Sequence, residues 1–511
     1  MRPYRWRWPD WPGSEGTKAM GNDVLDLWPE AAIEAIHEAS LAVLERVGVQ
    51  VESPAARAVL LGAGCVEGDR GRLRMPAGVV MDAVAACPRA FTLVARDTAR
   101  SILVDADPGP TFVHNMGGAR DIINPKTGAS RRATMADQVR LTRVMHHMTN
   151  LHSVTSLVQP DDVPYPLEPL YSYLVLAHET DKPVGGPGIS FAFQAAFLRR
   201  MAVALTDSDG SDGRYPVDLA FSPVSPLQLG AEVSDALLAT VRDGQVAVEI
   251  LPCPAAGTTA PGSMAAAVAT QNAEVLAGVV LTQAAAPGTP LYYGPRLSSI
   301  NPRTGVVTSG PPETGVASMA ATLLARKYGL ACDCYGPTSD SVVVDAQFGY
   351  EHMANAILGL AARPRFLSGP GENQSGVGGS VEALVIDDEV LNYAFYAYQR
   401  HPWDGDALSV DAIVEGLESD FGFLATAHTR KYLRSDFVKP LLSYRGGLGE
   451  WAASGRASVV DLASDRAAAM IAEPPVGLSD DVLEGLCGLI DEAARSIGLA
   501  EWPDPRRMLE G

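Results

Sequence analysis

A dense group of polar residues occupies one short stretch of the chain: Tyr335-Gly-Pro-Thr-Ser-Asp-Ser341, Asp345, Gln347 and Glu351. A helix that begins near Val343 would place the last two of these side chains one turn apart on one face. Carboxylates, hydroxyls and amides in this arrangement can hold and orient a substrate. Capping of the helix by Ser339, Asp340 and Asp345 is the alternative explanation, and the two roles are compatible.

Polar residues also follow or interrupt several apolar runs elsewhere in the chain: His114-Asn115, Asp161-Asp162, Asp218, Glu249 and Tyr292-Tyr293. A carboxylate inside an apolar run is costly to bury unless a positive group faces it. Asp218 and Glu249 therefore predict a partner of opposite charge, which is a Lys, an Arg or a ligand.

The elements that position these residues form a regular series. Eight short apolar, β-branched runs, each followed by a helical stretch, recur roughly 36 residues apart, the size of one strand-plus-helix unit. They begin near Thr111, Leu151, Pro183, Val217, Gln245, Gly288, Ala331 and Pro364. Strands that alternate with helices pair in parallel, and eight units close a (β/α)₈ barrel whose chemistry lies on the loops after the strands. The sequence therefore predicts an α/β protein with a (β/α)₈ TIM barrel over residues 111–400.

Two regions flank the predicted barrel. Residues 1–110 predict an N-terminal arm and an α+β cap, and residues 401–511 predict a C-terminal helical segment. Helices are predicted over 28–47, 79–86, 228–241, 263–285, 313–328, 410–417, 457–472 and 480–497, and a cap strand over 91–95.

Charge and cysteine usage limit the class of protein. The 511 residues include 40 Lys and Arg and 60 Asp and Glu, a formal net charge of −20. This excess disfavours nucleic acid or an anionic membrane surface as a partner and leaves a small molecule. No apolar stretch reaches the roughly 18 residues of a membrane span. Six scattered cysteines favour a reduced, cytoplasmic compartment.

Two local patterns carry weaker expectations. Cys332 and Cys334 form a C-x-C pair without further nearby ligands, so we expect no metal site. Trp6, Trp8 and Trp11 predict an N-terminal arm that anchors on its own or a neighbouring subunit, which favours a homo-oligomer.

The segment Thr338-Ser-Asp-Ser-Val-Val-Val-Asp-Ala-Gln-Phe-Gly-Tyr-Glu351 resembles the signature of the trimethylamine methyltransferase family of corrinoid-dependent amine demethylases. Further segments agree in order: Met75-Pro76, Gly118-Ala-Arg, Gly257-Thr-Thr-Ala-Pro261, Gln271-Asn-Ala-Glu274, Gly310-Pro-Pro-Glu313, Ile386-Asp-Asp-Glu389 and His428-Thr429. The resemblance covers nearly the whole chain beyond Trp28. It implies a TIM barrel that transfers a methyl group from an amine to the cobalt of a cobalamin (corrinoid) carried by a separate corrinoid protein.

One departure from the family pattern indicates which branch of the family the chain resembles. Trimethylamine-specific members carry pyrrolysine near the seventh-strand loop, and this chain has no such residue; Ser341 lies in or beside that position. Pyrrolysine is thought to activate trimethylamine, which otherwise must expel an amide anion. A quaternary ammonium expels a neutral amine and needs no such activation. The resemblance therefore implies the branch without pyrrolysine, which is linked to glycine betaine.

The resemblance and the residue types together give candidate roles. A trimethylammonium group donates no N–H hydrogen bond, so aromatic faces and carboxylates should hold it. The substrate-binding candidates are Tyr292, Tyr293, Tyr335, Asp218, Glu249, Glu313, His114 and Arg296, with Arg296 or the amides near Ser341 available to an anionic tail. The catalytic candidates are Asp340, Ser341 and Gln347. The candidates for contact with the corrinoid are Asp345, Glu351 and His352.

Two other functions fit part of the pattern. A non-catalytic quaternary-amine binding protein or sensor could use the same barrel and the same tyrosines. A metal-dependent barrel hydrolase is the weaker alternative, because the predicted barrel lacks an H-x-H pair and His146-His147 lie on a helix.

Overall fold

The computed structural model describes residues 27–510, except residues 207, 211, 400 and 404. Trp6, Trp8 and Trp11 lie outside the described residues. The cap contains α1 (Glu30–Arg46), β1 (Val49–Val51), α2 (Pro54–Gly62), β2 (Val66–Glu67), β3 (Arg72–Arg74), α3 (Ala77–Ala86), β4 (Ala90–Leu93) and β5 (Ile102–Asp105).

The central region follows the cap. Its first half contains β6 (Phe112–His114), β7 (Asp121–Ile123), β8 (Ser130–Arg132), α4 (Met135–His147), α5 (Glu168–Glu179), α6 (Ala192–Thr206), β9 (Arg214–Tyr215), β10 (Asp218–Phe221), β11 (Gln228–Leu229) and α7 (Ala231–Asp243). Its second half contains β12 (Ala247–Ile250), β13 (Ala255–Ala256), α8 (Met264–Ala285), β14 (Leu291–Tyr293), β15 (Ser298–Ile300), β16 (Val307–Thr308), α9 (Glu313–Tyr328), β17 (Ala331–Tyr335), α10 (Ala346–Ala361), β18 (Phe366–Ser368), β19 (Glu372–Asn373), β20 (Gly378–Gly379) and α11 (Val381–Tyr398).

The C-terminal segment is helical, as predicted. It contains α12 (Val410–Glu418), α13 (Ala427–Ser435), α14 (Leu448–Ala453), α15 (Val459–Ala472) and α16 (Asp480–Ser496). The sequence pattern predicts α12, α15 and α16 within two residues at each end, whereas it does not predict α13 and α14.

A curled, six-stranded parallel sheet forms the centre of the molecule, in the order β10-β12-β14-β17-β18-β6. The α/β class is therefore confirmed, but the eight-stranded closed barrel is not: the continuous ladder has six of the eight predicted strands. The second and third predicted strands contribute isolated parallel bridges, His114 with Ser153, Val154 with Val184 and Gly188 with Ala220.

Local chemistry explains why these two segments do not form ladders. The third segment contains Pro183 and Pro187, which have no N–H to donate to a neighbouring strand, and glycines that weaken strands. For the second segment, the side chain of Asn115, which follows β6, takes the place of a backbone strand partner. Its Oδ1 accepts from the Thr155 N–H at 2.9 Å, and its Nδ2 donates to the Thr155 carbonyl at 2.9 Å.

The residues at several helix ends are those that capping favours. The Ser263 hydroxyl accepts from the Ala266 N–H at the start of α8, and Gly329, at φ 67°, ends α9 in the left-handed conformation. The predicted helix over 228–241 begins only at Ala231, because Gln228 and Leu229 pair with β1 as a short parallel strand.

Helix α8 has the length and apolar composition of a membrane span, which corrects the expectation that no stretch reaches that length. However, 78% of its most apolar window is buried, and it packs against α1, α2, α3, α7 and α9. Among the described helices it is thus a central packing element of the fold.

The cap hairpin of β4 and β5 covers the N-terminal end of the sheet. Phe91, Leu93, Ile102 and Val104 form an apolar cluster with Ala247 and Ala331, the first residues of β12 and β17, and with Tyr292 and Phe366. Because β9, from the central region, pairs with β4, the cap and the sheet are joined by hydrogen bonds as well as by packing.

Asp388 on α11 offers a test of how the helix layer is held together. The residue is 2% exposed, and its carboxylate accepts from the N–H groups of Thr149 and Asn150 at 3.1 and 2.8 Å. Asp388→Ala leaves these donors unpaired and should lower the free energy of unfolding by about 2 kcal/mol or more in urea denaturation. Replacement of the exposed Asp420 by Ala should change it by less than about 0.5 kcal/mol, and equal effects of both substitutions would contradict the role of Asp388.

Candidate active site

Three carboxylates project from strands of the central sheet into the interior of its curl: Asp218 of β10, Glu249 of β12 and Asp333 of β17. Glu249 and Asp333 are 6% and 5% exposed. Alternate residues of a strand point to the same side. The apolar residues next to each carboxylate in its own strand therefore face the helices instead. The strands thus gather acidic groups inside an otherwise apolar sheet.

Arg296, in the loop after β14, balances part of this charge. Its Nη2 donates to Glu249 Oε1 at 3.2 Å and to Asp333 Oδ2 at 3.0 Å, and its Nη1 donates to the Asp333 carbonyl at 2.7 Å. His114 Nε2 lies 2.8 Å from Asp333 Oδ2. Burial alone would raise the pKa of Asp333, but Arg296 and His114 outweigh burial and hold it below its ordinary value.

The other two carboxylates are less well compensated. Burial raises the pKa of Asp218 to about 6. Burial and the nearby charge of Asp333 raise the pKa of Glu249 well above its ordinary value, despite the contact with Arg296. Buried carboxylates in this condition are partly protonated unless a further cation reaches them.

Unpaired polar atoms mark the same place. Asp218 Oδ1, Asp333 Oδ1 and the Tyr292 hydroxyl are buried and have no hydrogen-bond partner among the described residues. Native proteins rarely leave buried polar atoms unsatisfied, and exceptions are frequent at functional sites. The interior is therefore short of positive charge and of hydrogen-bond donors.

Two adjoining cavities open at these groups. The main cavity has a volume of about 280 Å³, and residues that follow the strands line it, including Thr155, Glu168, Ser222, Leu251, Arg296 and Tyr335. An inner chamber of about 40 Å³ lies between Asp218, Asp333 and Tyr292. His114, Thr155, Gly186 and Glu249 line both cavities, so the inner chamber is the floor of the main cavity.

Six of the predicted substrate-binding residues line these cavities: Asp218, Glu249, Tyr292, Tyr335, His114 and Arg296. The Arg296 guanidinium lies 5.5 Å from the centroid of the Tyr335 ring. The aromatic face of Tyr335 therefore lies against the guanidinium, beside the carboxylates that Arg296 contacts. The donors of Arg296 are engaged by the two carboxylates and by carbonyls.

Tyr293 and Glu313 lie apart from both cavities. Tyr293 is fully buried on the helix side of the sheet, where its hydroxyl donates to Asn272 Oδ1 at 2.7 Å. As the strand neighbour of Tyr292, it must point to the opposite face. Glu313 is exposed in the first turn of α9.

The seventh-strand loop forms a closed hydrogen-bond network beside the cavities. Asp340 Oδ1 accepts from the N–H groups of Ser309 and Gly310 at 2.9 and 3.0 Å and from the Ser375 hydroxyl at 2.5 Å. These contacts join the loops that follow β14, β17 and β18. The network lines neither cavity, so the catalytic roles predicted for Asp340, Ser341 and Gln347 stay predictions.

The remaining members of the predicted cluster stabilise α10. Asp345 caps the helix, with Oδ1 accepting from the N–H groups of Gln347 and Phe348, so that α10 begins at Ala346 rather than near Val343. Glu351 Oε2 accepts from the Ser339 hydroxyl and the Asp340 N–H, and the Gln347 amide donates to Glu351 Oε1. The capping alternative is thus confirmed for Asp345.

His352 is fully buried between α10 and α11. Its Nδ1 lies 2.5 Å from Asp387 Oδ1, and its ring stacks on Phe348 at 3.8 Å between centroids. No surface of this side chain is accessible in this structure, and the predicted contact of His352 with a corrinoid stays a prediction.

Sequence reasoning missed Asp333, which is the centre of the charge network. The signal was the same as for Asp218 and Glu249, a carboxylate inside an apolar run. In the Ala331–Tyr335 strand, Cys332 and Cys334 instead face the opposite side, near the Thr322 hydroxyl. Among the described residues, no group of three or more His, Cys, Asp or Glu side chains could hold a metal ion.

Comparisons with known proteins agree with the sequence motifs. Residues 16–498 match the family described as Trimethylamine methyltransferase (MTTB). The chain is 29% identical over 426 residues to a glycine betaine methyltransferase of Desulfitobacterium hafniense (strain Y51), an alignment covering 83% of this chain and 88% of that protein.

Two further similarities extend over nearly the whole chain. A trimethylamine methyltransferase of Methanosarcina mazei is 27% identical over 499 residues, covering 94% of this chain and 98% of that protein. The crystal structure of the Methanosarcina barkeri monomethylamine methyltransferase covers 94% of both chains at 12% identity and a TM-score of 0.48. Because the family match spans most of the sequence, the chain is a methyltransferase and belongs to the trimethylamine methyltransferase family.

Proposed function

We propose that this enzyme transfers a methyl group from a quaternary amine, such as glycine betaine, to Co(I) of a cobalamin on a separate corrinoid protein. The relatives named above act on glycine betaine or trimethylamine. The absence of pyrrolysine from the sequence favours the quaternary substrate, since a quaternary nitrogen leaves as a neutral amine without a proton donor or a covalent activator.

One observation carries the proposal: three carboxylates lie together inside the curled sheet, and the one guanidinium there, that of Arg296, contacts only Glu249 and Asp333. Asp218, Glu249 and Asp333 outnumber Arg296, and the raised pKa values of the first two report the resulting charge repulsion and burial. A permanently charged ammonium group would relieve this excess in a way that neutral ligands cannot. The site therefore suits a positively charged ligand.

Arg296 is better assigned to charge balance than to a substrate carboxylate. Its Nη2 already bridges Glu249 and Asp333, and breaking either contact would leave a buried carboxylate uncompensated. Tyr335 adds an aromatic face to the cavity beside this network, which suits methyl groups on a positive nitrogen.

The size of the cavity supports an external methyl acceptor. Pockets for drug-sized ligands span about 300–1,000 Å³, and a cobalamin is larger than such ligands. The main cavity, at about 280 Å³, fits a small amine and not the corrinoid. The cobalt supplies the nucleophile from outside, while the residues of this chain bind the cation, orient one N-methyl group towards the opening and exclude water.

A non-catalytic amine-binding protein or sensor is the alternative function. It would use the same acidic cavity without transferring a methyl group. The relatives over most of the chain are methyltransferases, so this alternative is not favoured. The homo-oligomer and the cytoplasmic location stay predictions.

The substrate assignment can be tested with reduced cobalamin and a panel of methylated amines. We expect glycine betaine or a related quaternary amine to consume Co(I), followed by its absorbance, and trimethylamine to leave it unchanged. The matched controls are dimethylglycine, whose nitrogen carries two methyl groups and a proton in place of three methyl groups, and enzyme with Glu249→Gln, which should lose most activity. Turnover of trimethylamine with no activity on any quaternary amine would overturn the proposal.

The pKa of Asp218, about 6, predicts a pH-dependent affinity. Since a cation binds the ionised carboxylate, the Kd for glycine betaine should fall as pH rises through about 6, by at most about tenfold per pH unit. In Asp218→Asn, calorimetric titrations should find that this change in Kd near pH 6 is lost. Burial raises the pKa of Glu168, which also lines the main cavity, to about 7, so its contribution to the pH dependence of Kd should remain at higher pH.

A matched control exists for this pH dependence. Burial also raises the pKa of Glu274 to about 7, but its carboxylate binds the Leu227 N–H and the Ser225 hydroxyl outside both cavities. Glu274→Gln should keep the pH profile of binding. A profile that is unchanged in Asp218→Asn would remove Asp218 from the site.

Loss of the hydroxyl should lower the free energy of unfolding at Tyr293 but not at the adjacent Tyr292. Tyr293→Phe leaves buried Asn272 Oδ1 without its donor and should lower the free energy of unfolding by about 1–2 kcal/mol, with no change in Kd for the amine. Tyr292→Phe should not destabilise the protein, because its hydroxyl has no partner among the described residues. Chemical denaturation and calorimetry measure both effects, and weakened amine binding in Tyr293→Phe would return this residue to the site.

A further inference from the structure

The two adjoining cavities differ in size, and this difference bears on the fourth substituent of the ammonium nitrogen. Under the proposed function, the trimethylammonium group lies in the main cavity of about 280 Å³. The inner chamber of about 40 Å³ is too small for that group but holds a group about the size of one water molecule. The end of the fourth substituent, which we call the tail, is therefore the part of the substrate that fits the inner chamber.

The inner chamber is closed at its floor, so a tail that enters it must end there. Leu93 of the cap hairpin and Phe366 of β18 line the chamber, and both belong to the apolar cluster that covers the N-terminal end of the sheet. The ring of Tyr292 packs in the same cluster, with its centroid 5.1 Å from that of Phe91 and 5.6 Å from that of Phe366. Aromatic packing therefore holds Tyr292 in the wall of the chamber.

Polar atoms without partners belong to residues of this wall. Asp218 Oδ1, Asp333 Oδ1 and the Tyr292 hydroxyl are buried and have no hydrogen-bond partner among the described residues. Asp333 and Tyr292 are only 5% and 3% exposed. A carboxylate oxygen only accepts hydrogen bonds, whereas a hydroxyl both donates and accepts. A tail that ends in a hydroxyl matches these atoms, because its O–H donates to Asp218 Oδ1 while its oxygen accepts from the Tyr292 O–H.

A tail that ends in a carboxylate finds no such match. Among the described residues that line the two cavities, Arg296 and His114 are the Arg, Lys and His side chains. The terminal nitrogens of Arg296 contact Glu249, Asp333 and two carbonyls, which leaves its Nε alone for a ligand. His114 Nε2 lies 2.8 Å from Asp333 Oδ2, and its Nδ1 lies 2.8 Å from the Asn115 carbonyl. A carboxylate in the chamber would thus meet two carboxylates and gain no free cation.

The charge of the site also favours a substrate with one positive charge over a zwitterion. Arg296 and His114 hold the pKa of Asp333 below its ordinary value, so this carboxylate stays ionised. The pKa of Asp218, about 6, leaves it mostly ionised at neutral pH. An ammonium group with a neutral tail adds one positive charge beside these carboxylates, whereas the carboxylate of a betaine would cancel that charge.

We propose that the substrate of this enzyme is a quaternary amine with a neutral hydroxyalkyl tail, bound with its ammonium group in the main cavity and its hydroxyl in the inner chamber between Asp218 and Tyr292. The inference rests on the proposed function and specifies the tail of the amine. The hydroxyl is a binding group that selects the substrate and takes no part in the methyl transfer.

Three amines that differ only in their tail test the proposal in calorimetric titrations of the full chain. The tail ends in a hydroxyl in choline, in a methyl group in n-propyltrimethylammonium and in a carboxylate in glycine betaine. We expect the Kd of choline to be at least about tenfold lower than that of either other amine, because its hydroxyl donates a charge-assisted hydrogen bond to Asp218. Equal or tighter binding of n-propyltrimethylammonium or of glycine betaine overturns the inference and leaves the chamber to a water molecule.

Removal of the Tyr292 hydroxyl tests the position of the tail. Tyr292→Phe keeps the aromatic ring and should raise the Kd of choline about threefold or more, without changing that of n-propyltrimethylammonium. The matched control is Tyr293→Phe, since the Tyr293 hydroxyl binds Asn272 on the helix side of the sheet, and it should change neither Kd. A thermal melt checks that each variant folds. An unchanged Kd of choline in Tyr292→Phe takes the hydroxyl out of the inner chamber and overturns the inference.

The same amines separate failure of this inference from failure of the proposed function. Consumption of Co(I) with n-propyltrimethylammonium or glycine betaine, without a preference for choline in binding, would overturn the tail assignment and keep a quaternary-amine methyltransferase. If none of the three amines binds and none consumes Co(I), both the inference and the proposed function are wrong.

Discussion

The buried contact of Arg296 with Glu249 and Asp333 is the interaction on which the site depends. Charges taken out of water are costly, and a guanidinium with two carboxylates is tolerated only where its planar donors meet good acceptors. Strands β12 and β17 and the loop after β14 supply those groups, so the register of the sheet also sets the geometry of the site. Glu249 lies beside Tyr292 in the ladder, and Asp333 beside Phe366. A shift of one residue would send these carboxylates into the helix layer.

The loops around the cavity are held by a separate set of hydrogen bonds. Asp340 and Glu351 accept from backbone N–H groups and hydroxyls of three successive loops, and Glu372 accepts from the Ser339 N–H at 2.7 Å. Close approach of these loops requires a residue without a side chain at Gly310, where a Cβ would collide with Glu351. The acidic residues of the seventh-strand loop thus hold these loops together, while those inside the sheet set the charge of the cavity.

Sequence patterns predicted the elements better than the directions of side chains. All eight predicted strand starts lie within three residues of a strand or an isolated bridge, because apolar runs indicate burial in a sheet. The failures have physical causes. Prolines and the Asn115 side chain interrupt two strands. Adjacent tyrosines point to opposite faces, so Tyr292 and Tyr293 could not both line the cavity. Asp333 was missed because polar density drew attention to the seventh-strand loop, whereas this carboxylate stands alone inside an apolar run.

The two ends of the sheet carry different tasks, and this division constrains how the protein can assemble. Phe91, Leu93 and the rest of the β4–β5 hairpin cover the N-terminal ends of the strands with apolar contacts, so the acidic cavity opens towards the strand ends where the loops lie. Under the proposed function, an acceptor as large as a corrinoid protein would reach the bound methyl group only from that face. Self-association through the same face would therefore exclude the acceptor.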